Sequence, residues 1–192
     1  MPADRLHRRT FITAGLVACG GMALGPMASV WAQSTVPQEV SGELGSAQLA
    51  GSSRMRFFGL GIYDARLWVA PGFRAATYAQ HGLALELTYL RSLSGNAIAE
   101  RSIKEMRRSG ELSTDTERRW LAAMQEAFPD VQEGNRITGL HLPSMGAKFW
   151  FNGQLRSTIA DVEFSRRFFG IWLSEATSEP ALRAELLARA AP

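Results

Sequence analysis

The stretch AKFWFNGQLRSTI, residues 147–159, constrains the fold more than any other part of the chain. Asn-Gly suits a type I′ hairpin turn, because both central residues of that turn need positive φ. Two strand-prone runs joined by two residues can pair only antiparallel, since a parallel connection needs a dozen or more residues. Strands are expected at 147–151 and 154–159, and further ones at 83–89 and 136–142. The long segment from Ala47 to Val69 also reads as strand, with a turn expected at Gly51-Ser52-Ser53. Within it Phe58, Leu60, Ile62 and Trp68 are expected on one face and Phe57, Tyr63, Leu67 and Val69 on the other, so both faces would be covered.

Between and after these runs the period changes from 2 to 3.6. Ser94 can cap a helix running through Met106, with Ile98, Ser102 and Met106 on one stripe and Arg101, Glu105 and Arg108 off it. Thr114 with Glu117 reads as a capping box for a helix whose Trp120, Leu121, Met124 and Phe128 face a core, stopped by Pro129. Asp161 opens a third helix, with Phe164, Phe168, Ile171 and Trp172 on one stripe. A short fourth begins near Ser178 and Pro180. Hairpin-linked strands with helices grouped between them predict an α+β fold with a largely antiparallel sheet.

Residues 1–32 are expected to be an export signal outside this domain. They join Arg8-Arg9 to an apolar run ending at a V-x-A site, and the pair followed by Phe11 resembles a twin-arginine signal. Cleavage after Ala32 predicts a periplasmic protein. The alternative is a lipobox ending at Cys19, which would tether the chain to a membrane. Residues 33–43 read as a flexible lead-in and 44–192 as one domain. Without the three Arg and one Asp of residues 1–32, the 21 basic and 18 acidic residues fall to 18 and 17. A nearly neutral domain implies no nucleic-acid partner.

The candidate chemistry is sparse. Cys19 is the one cysteine in the sequence, so a mature domain has no thiolate to offer. Gly59-Leu60-Gly61 lacks the third glycine and the following helix of a dinucleotide loop. His81 and His141 stand apart from other metal-ligating residues, and no metal or other cofactor is expected. Asp64 and Arg66, two apart on one strand, read as a structural ion pair.

Five segments, in order, resemble the chalcone isomerase-like family. They are Gly51-Ser52-Ser53-Arg54 leading into Phe57 to Ala65, Leu87 to Arg91 before the helix from Ser94, Phe151 to Gln154, and Phe164 to Leu173; the resemblance spans residues 44–188. It implies an open-faced β-sandwich, a large antiparallel sheet under a layer of helices, with a ligand cleft between them. Catalytic relatives place an Arg and a Thr from the early strands, and a Tyr, a Lys and an Asn from the first long helix, around the substrate. Carried over, those positions fall on Arg54, Phe58, Ile98, Arg101 and Glu105. Only the arginine is kept, so no catalytic residue is assigned. The resemblance implies instead a non-enzymatic domain holding a small apolar or fatty-acid-like carboxylate ligand through Arg54, Phe58, Ile98 and Arg101. Two alternatives remain at this point: an isomerase or lyase working through Arg54, Arg101 and Glu105, and a periplasmic interaction module without ligand, its protein partner unidentified.

Overall fold

The computed structural model describes residues 35–191. The expected signal, its cleavage site and Cys19 lie outside the described residues. Six strands form one antiparallel meander in chain order: β1 (Gln48–Phe57), β2 (Leu60–Val69), β3 (Leu83–Tyr89), β4 (Arg136–Leu142), β5 (Gly146–Phe151) and β6 (Gln154–Ile159). The α+β class and the open sheet agree with the expectation.

Four helices lie over one face of this sheet: α2 (Gly95–Met106), α3 (Thr114–Ala127), α4 (Val162–Leu173) and α5 (Pro180–Leu186). Asp161 caps α4 by accepting the Phe164 N–H at 2.9 Å and also takes the Trp120 indole N–H at 2.9 Å, which fixes α4 to α3. The stripe of α4 then delivers Phe164, Phe168 and Phe169 into the main core beside Phe149 of β5. The rings of Phe149 and Phe168 meet edge to face at 5.1 Å, as do those of Phe128 and Phe149, an arrangement that adds to plain area burial.

The opposite face carries a smaller cluster. Residues 38–43, read from the sequence as part of a flexible lead-in, belong to the helix α1 (Gln38–Leu44). Val40 is buried among Trp68, Ala84, Leu140 and Trp150. Glu39 accepts from Thr138 at 2.9 Å and pairs with Arg136 at 2.9 Å, while Lys148 reaches Glu43 at 2.7 Å. Apolar contacts of Val36, Val40 and Leu44, flanked by ion pairs, order a segment too polar and too short to announce itself.

Two boundaries differ from the sequence expectation. The chain does not turn at Gly51-Ser52-Ser53, which lie within β1; the turn sits at Phe58-Gly59, with φ of 48° and 78°. Gly51 has another reason to be glycine. A Cβ there would lie 2.2 Å from the Glu185 carbonyl oxygen, so α5 can close over β1 only at a residue without a side chain. The cap of α3 is Ser113, which accepts the Thr116 N–H at 3.2 Å, and Glu117 is drawn instead to Arg107.

Candidate functional site

Between the sheet and α2, α4 and the start of α5 lies a cavity of about 250 Å³. Its floor is strand: Met55, Ile62, Tyr63, Leu85, Leu87, Tyr89, Ile137 and Phe149. Its roof is helix: Ile98, Arg101, Ser102 and Glu105 from α2, with Phe168, Ile171 and Trp172 from α4. The size is just under the range of about 300–1,000 Å³ usual for small-molecule pockets.

A β-bulge shapes the mouth. Met55 pairs with Tyr63 but Arg56 pairs with Gly61, leaving Ile62 as the extra residue on β2. Ile62 and Tyr63 consequently both line the cavity, which strict alternation would forbid. This departs from the expectation that they face opposite ways.

Ordinary alternation decides the position of Arg54, which precedes the bulge in unbroken register. Met55 and Tyr63 point into the cavity, so Arg54 and Asp64, the next pair in register, point out of the other face. There Arg54 donates Nε–H to Asp64 Oδ1 at 2.6 Å and Nη2–H to Oδ2 at 2.8 Å. That pair holds the Asp64 carboxyl below its ordinary value, the hydrogen bonds from Arg54 being the largest cause. Asp64 is thus not paired with Arg66, as the two-residue spacing suggested; Arg66 approaches Glu86 of β3 at 3.5 Å.

Of the four expected ligand residues, the structure brings Ile98 and Arg101 together on the cavity roof. It puts Arg54 on the far face and Phe58, 90 % exposed, at the tip of the β1–β2 hairpin. The expectation for Arg54 and Phe58 is corrected accordingly. Motif matching fixes neither the face that a strand residue takes nor the position of a turn.

Arg101 is the one cation among the lining residues. Ile98, Arg101, Ser102 and Glu105 stand at i, i+3, i+4 and i+7, a single stripe of α2. Arg101 and Glu105 therefore share the cavity wall with Ile98 and Ser102, contrary to the expected separation. Arg101 Nη2 lies 2.8 Å from Glu105 Oε1, and Arg108 Nε lies 3.8 Å from Glu105 Oε2. Glu105 is buried, and its Oε2 has no hydrogen-bond partner. The lining thus carries one cation, Arg101, and two carboxylates, Glu105 and Glu179, while Arg108, outside the lining, donates its Nε–H to the Ala176 carbonyl at 2.9 Å.

The sequence reading did not select Tyr63, Tyr89 or Trp172 for the site. Tyr63 accepts the Trp172 indole N–H at 3.0 Å, a bond from sheet to helix layer. Burial pushes the Tyr63 hydroxyl up to about 12, and burial likewise raises Tyr89. Both stay protonated at neutral pH. The alternation that sets Tyr63 on the face of Leu67 and Val69 is a sequence signal for Tyr63 alone; its pairing with Tyr89 emerges only in the folded sheet. His141 lies away from the cavity, its Nδ1 2.6 Å from Ser165 Oγ and its Nε2 3.0 Å from the Ala79 carbonyl oxygen. Among the described residues no three of His, Cys, Asp and Glu gather as metal ligands, and no helix is long and apolar enough to cross a membrane.

Residues 28–188 match the family model described as chalcone isomerase-like. An uncharacterized protein of Haemophilus influenzae is 30% identical over 107 residues, which is 56% of this chain and 52% of that protein, so the match spans about half of that relative's length. Among solved structures, a fatty-acid binding protein of Arabidopsis thaliana aligns with a TM-score of 0.58 at 12% identity, covering 74% of this chain and 87% of that one. That likeness concerns the fold.

Proposed function

The chain belongs to the chalcone isomerase-like family, and we propose that it is a binding member, holding an acyl-type carboxylate in the cavity between sheet and helices. One observation carries this reading: a mainly apolar cavity, walled by both layers, whose lining includes a single cation, Arg101, engaged on one side by Glu105. Each methylene buried against such walls contributes about 0.8 kcal/mol, so the tail supplies most of the affinity. Glu105 occupies one edge of the Arg101 guanidinium, leaving its other donors for a ligand carboxylate, which orients the molecule. The fatty-acid binding of the Arabidopsis neighbour supports the same reading. Arg54, the anchor first expected, has no part in it.

A non-enzymatic role is part of the proposal. It is supported by the residues at the carried-over positions: Ile98 cannot donate a hydrogen bond, and Arg54 is held by Asp64 on the other face. A second reading, an isomerase or lyase, has one observation in its favour. Glu105 is a buried carboxylate in the cavity wall with an unpartnered oxygen, placed to take a proton from a bound substrate. The proposal extends to location: an exported chain, cleaved after Ala32, or alternatively anchored through a lipidated Cys19. Intact mass of the exported protein separates these two.

Native mass spectrometry of the protein isolated from its own cells tests the ligand reading, with thermal melts in medium- and long-chain saturated fatty acids. Co-purified carboxylates and a melting point that rises with acid concentration are the expected result. A silent cavity, with no adduct and no stabilisation by any acid, contradicts it. Turnover of chalcones or related enones that is abolished in Glu105→Gln establishes the enzymatic reading instead.

A further inference from the structure

The sheet contains two hairpin turns of the same type, and only one uses the residues that geometry favours. At the β5–β6 turn Asn152 and Gly153 have φ of 49° and 82°; at the β1–β2 turn Phe58 and Gly59 have φ of 48° and 78°. Asn tolerates the left-handed region because its short side chain finds a local partner, and Asn152 Oδ1 accepts the Arg136 N–H at 2.8 Å. A bulky aromatic in that region is an outlier, and a strained residue that persists on a surface points to function. Phe58 obtains no burial in return, for it is 90 % exposed.

Its neighbours make the tip an apolar knob. Phe57 and Leu60 are each more than half exposed, and the Phe57 and Phe58 rings meet edge to face at 4.5 Å. Phe57 also lines the cavity, so the knob is the lip of the site. Cations flank it. Arg56 adjoins the knob in β1, and Arg91 follows Leu90, whose N–H bonds to the Ile62 carbonyl at 2.9 Å. Both side chains are exposed, and among the described residues neither makes a salt bridge.

We propose that the β1–β2 tip docks on an anionic phospholipid bilayer. Phe57, Phe58 and Leu60 enter the boundary between headgroups and acyl chains, and Arg56 and Arg91 meet the lipid phosphates. Exposed apolar side chains flanked by two arginines suit an interfacial anchor, and the charge selects an anionic surface. Docked in this way, the cavity mouth opens toward the lipid, where an acyl ligand can pass without crossing water. That exchange step rests on the ligand reading; the docking does not.

The test uses protein isolated from its own cells, wild type and Phe58→Asn sharing the same N-terminus, in co-flotation with sealed phosphatidylcholine vesicles with or without phosphatidylglycerol. Asn suits the turn, so the variant keeps or raises the melting point. Wild type is expected to favour the anionic vesicles, with affinity falling about tenfold or more in Phe58→Asn and weakening with salt. Phe58→Trp should show more fluorescence quenching by brominated lipid than wild type, a readout that a tether at the N-terminus does not supply. Equal flotation of wild type and Phe58→Asn, no preference for the anionic vesicles, or no added quenching overturns the proposal. So does a dimer that dissociates on Phe58→Asn while vesicles leave the protein unbound, which makes the knob a contact between copies. Titration of both proteins with a soluble short-chain acid tests the cavity separately, and Phe58→Asn should bind that acid as wild type does.

Discussion

Arg54 and Asp64 face each other across β1 and β2 on the side of the sheet away from the cavity, joined by two hydrogen bonds of 2.6 and 2.8 Å. The pair is close to half exposed. It ties the edge strand β1 to its neighbour β2. Arg54→Ala is therefore expected to bind acyl carboxylates as wild type does, with a small loss of melting temperature. Arg101→Gln is expected to weaken the same ligands by about ten- to a hundredfold, since hydrogen bonds to charged groups are worth about 1.5–3 kcal/mol. Parallel calorimetric titrations of the two variants check this.

Stability should decline with acid in a way that traces to His141. Burial lowers its pKa below the ordinary 6.5, so the unfolded chain takes up a proton before the folded one does. The contribution is complete above pH 6.5 and is lost as pH falls through the folded value. The groups facing this imidazole are Ser165 and the Ala79 carbonyl, and Phe169 packs beside it. Denaturant melts from pH 7.5 to 5 should show His141→Gln with a flatter profile than wild type; identical slopes would exonerate the histidine.

The hydrogen bond between Tyr63 and Trp172 fastens floor to roof. Removing its acceptor in Tyr63→Phe leaves the indole N–H unpaired beside an apolar cavity, at a cost of about 1–3 kcal/mol. Equilibrium unfolding in urea measures it. Spectrophotometric titration of wild type should also show one tyrosine ionising only near pH 12.

What the sequence made legible was whatever depends on local period and turn chemistry. The Asn152-Gly153 hairpin, the strands 83–89 and 136–142, and the Asp161 cap all stand where the residues put them. The site was half legible by another route: the family resemblance points to Ile98 and Arg101, whereas helical spacing alone sets Arg101 apart from the Ile98 stripe. Arg54 was misplaced because motif matching does not tell which face of β1 its side chain takes, and Phe58 because Phe-Gly does not read as a turn. The helix α1 was hidden because its order comes from Val40, Glu39 and Glu43 meeting β-strands about a hundred residues away.

Gly51 gives a test of how tightly the layers close. Gly51→Ala puts a Cβ 2.2 Å from the Glu185 carbonyl oxygen, and backbone cannot yield as a side chain end can. A loss of about 1–3 kcal/mol or more is expected. The neighbouring exposed Ser52→Ala serves as the control and should change stability little.

The account turns on the cavity holding an acyl chain with a carboxylate at the Arg101 end. The most direct measurement is calorimetric titration of delipidated protein with a saturated fatty acid and with the alcohol of the same chain length, for wild type and Arg101→Gln. The acid should bind wild type more tightly than the alcohol, and the difference should collapse in Arg101→Gln while the alcohol affinity is unchanged. An alcohol that binds wild type as tightly as the acid, or an acid that binds Arg101→Gln undiminished, contradicts it.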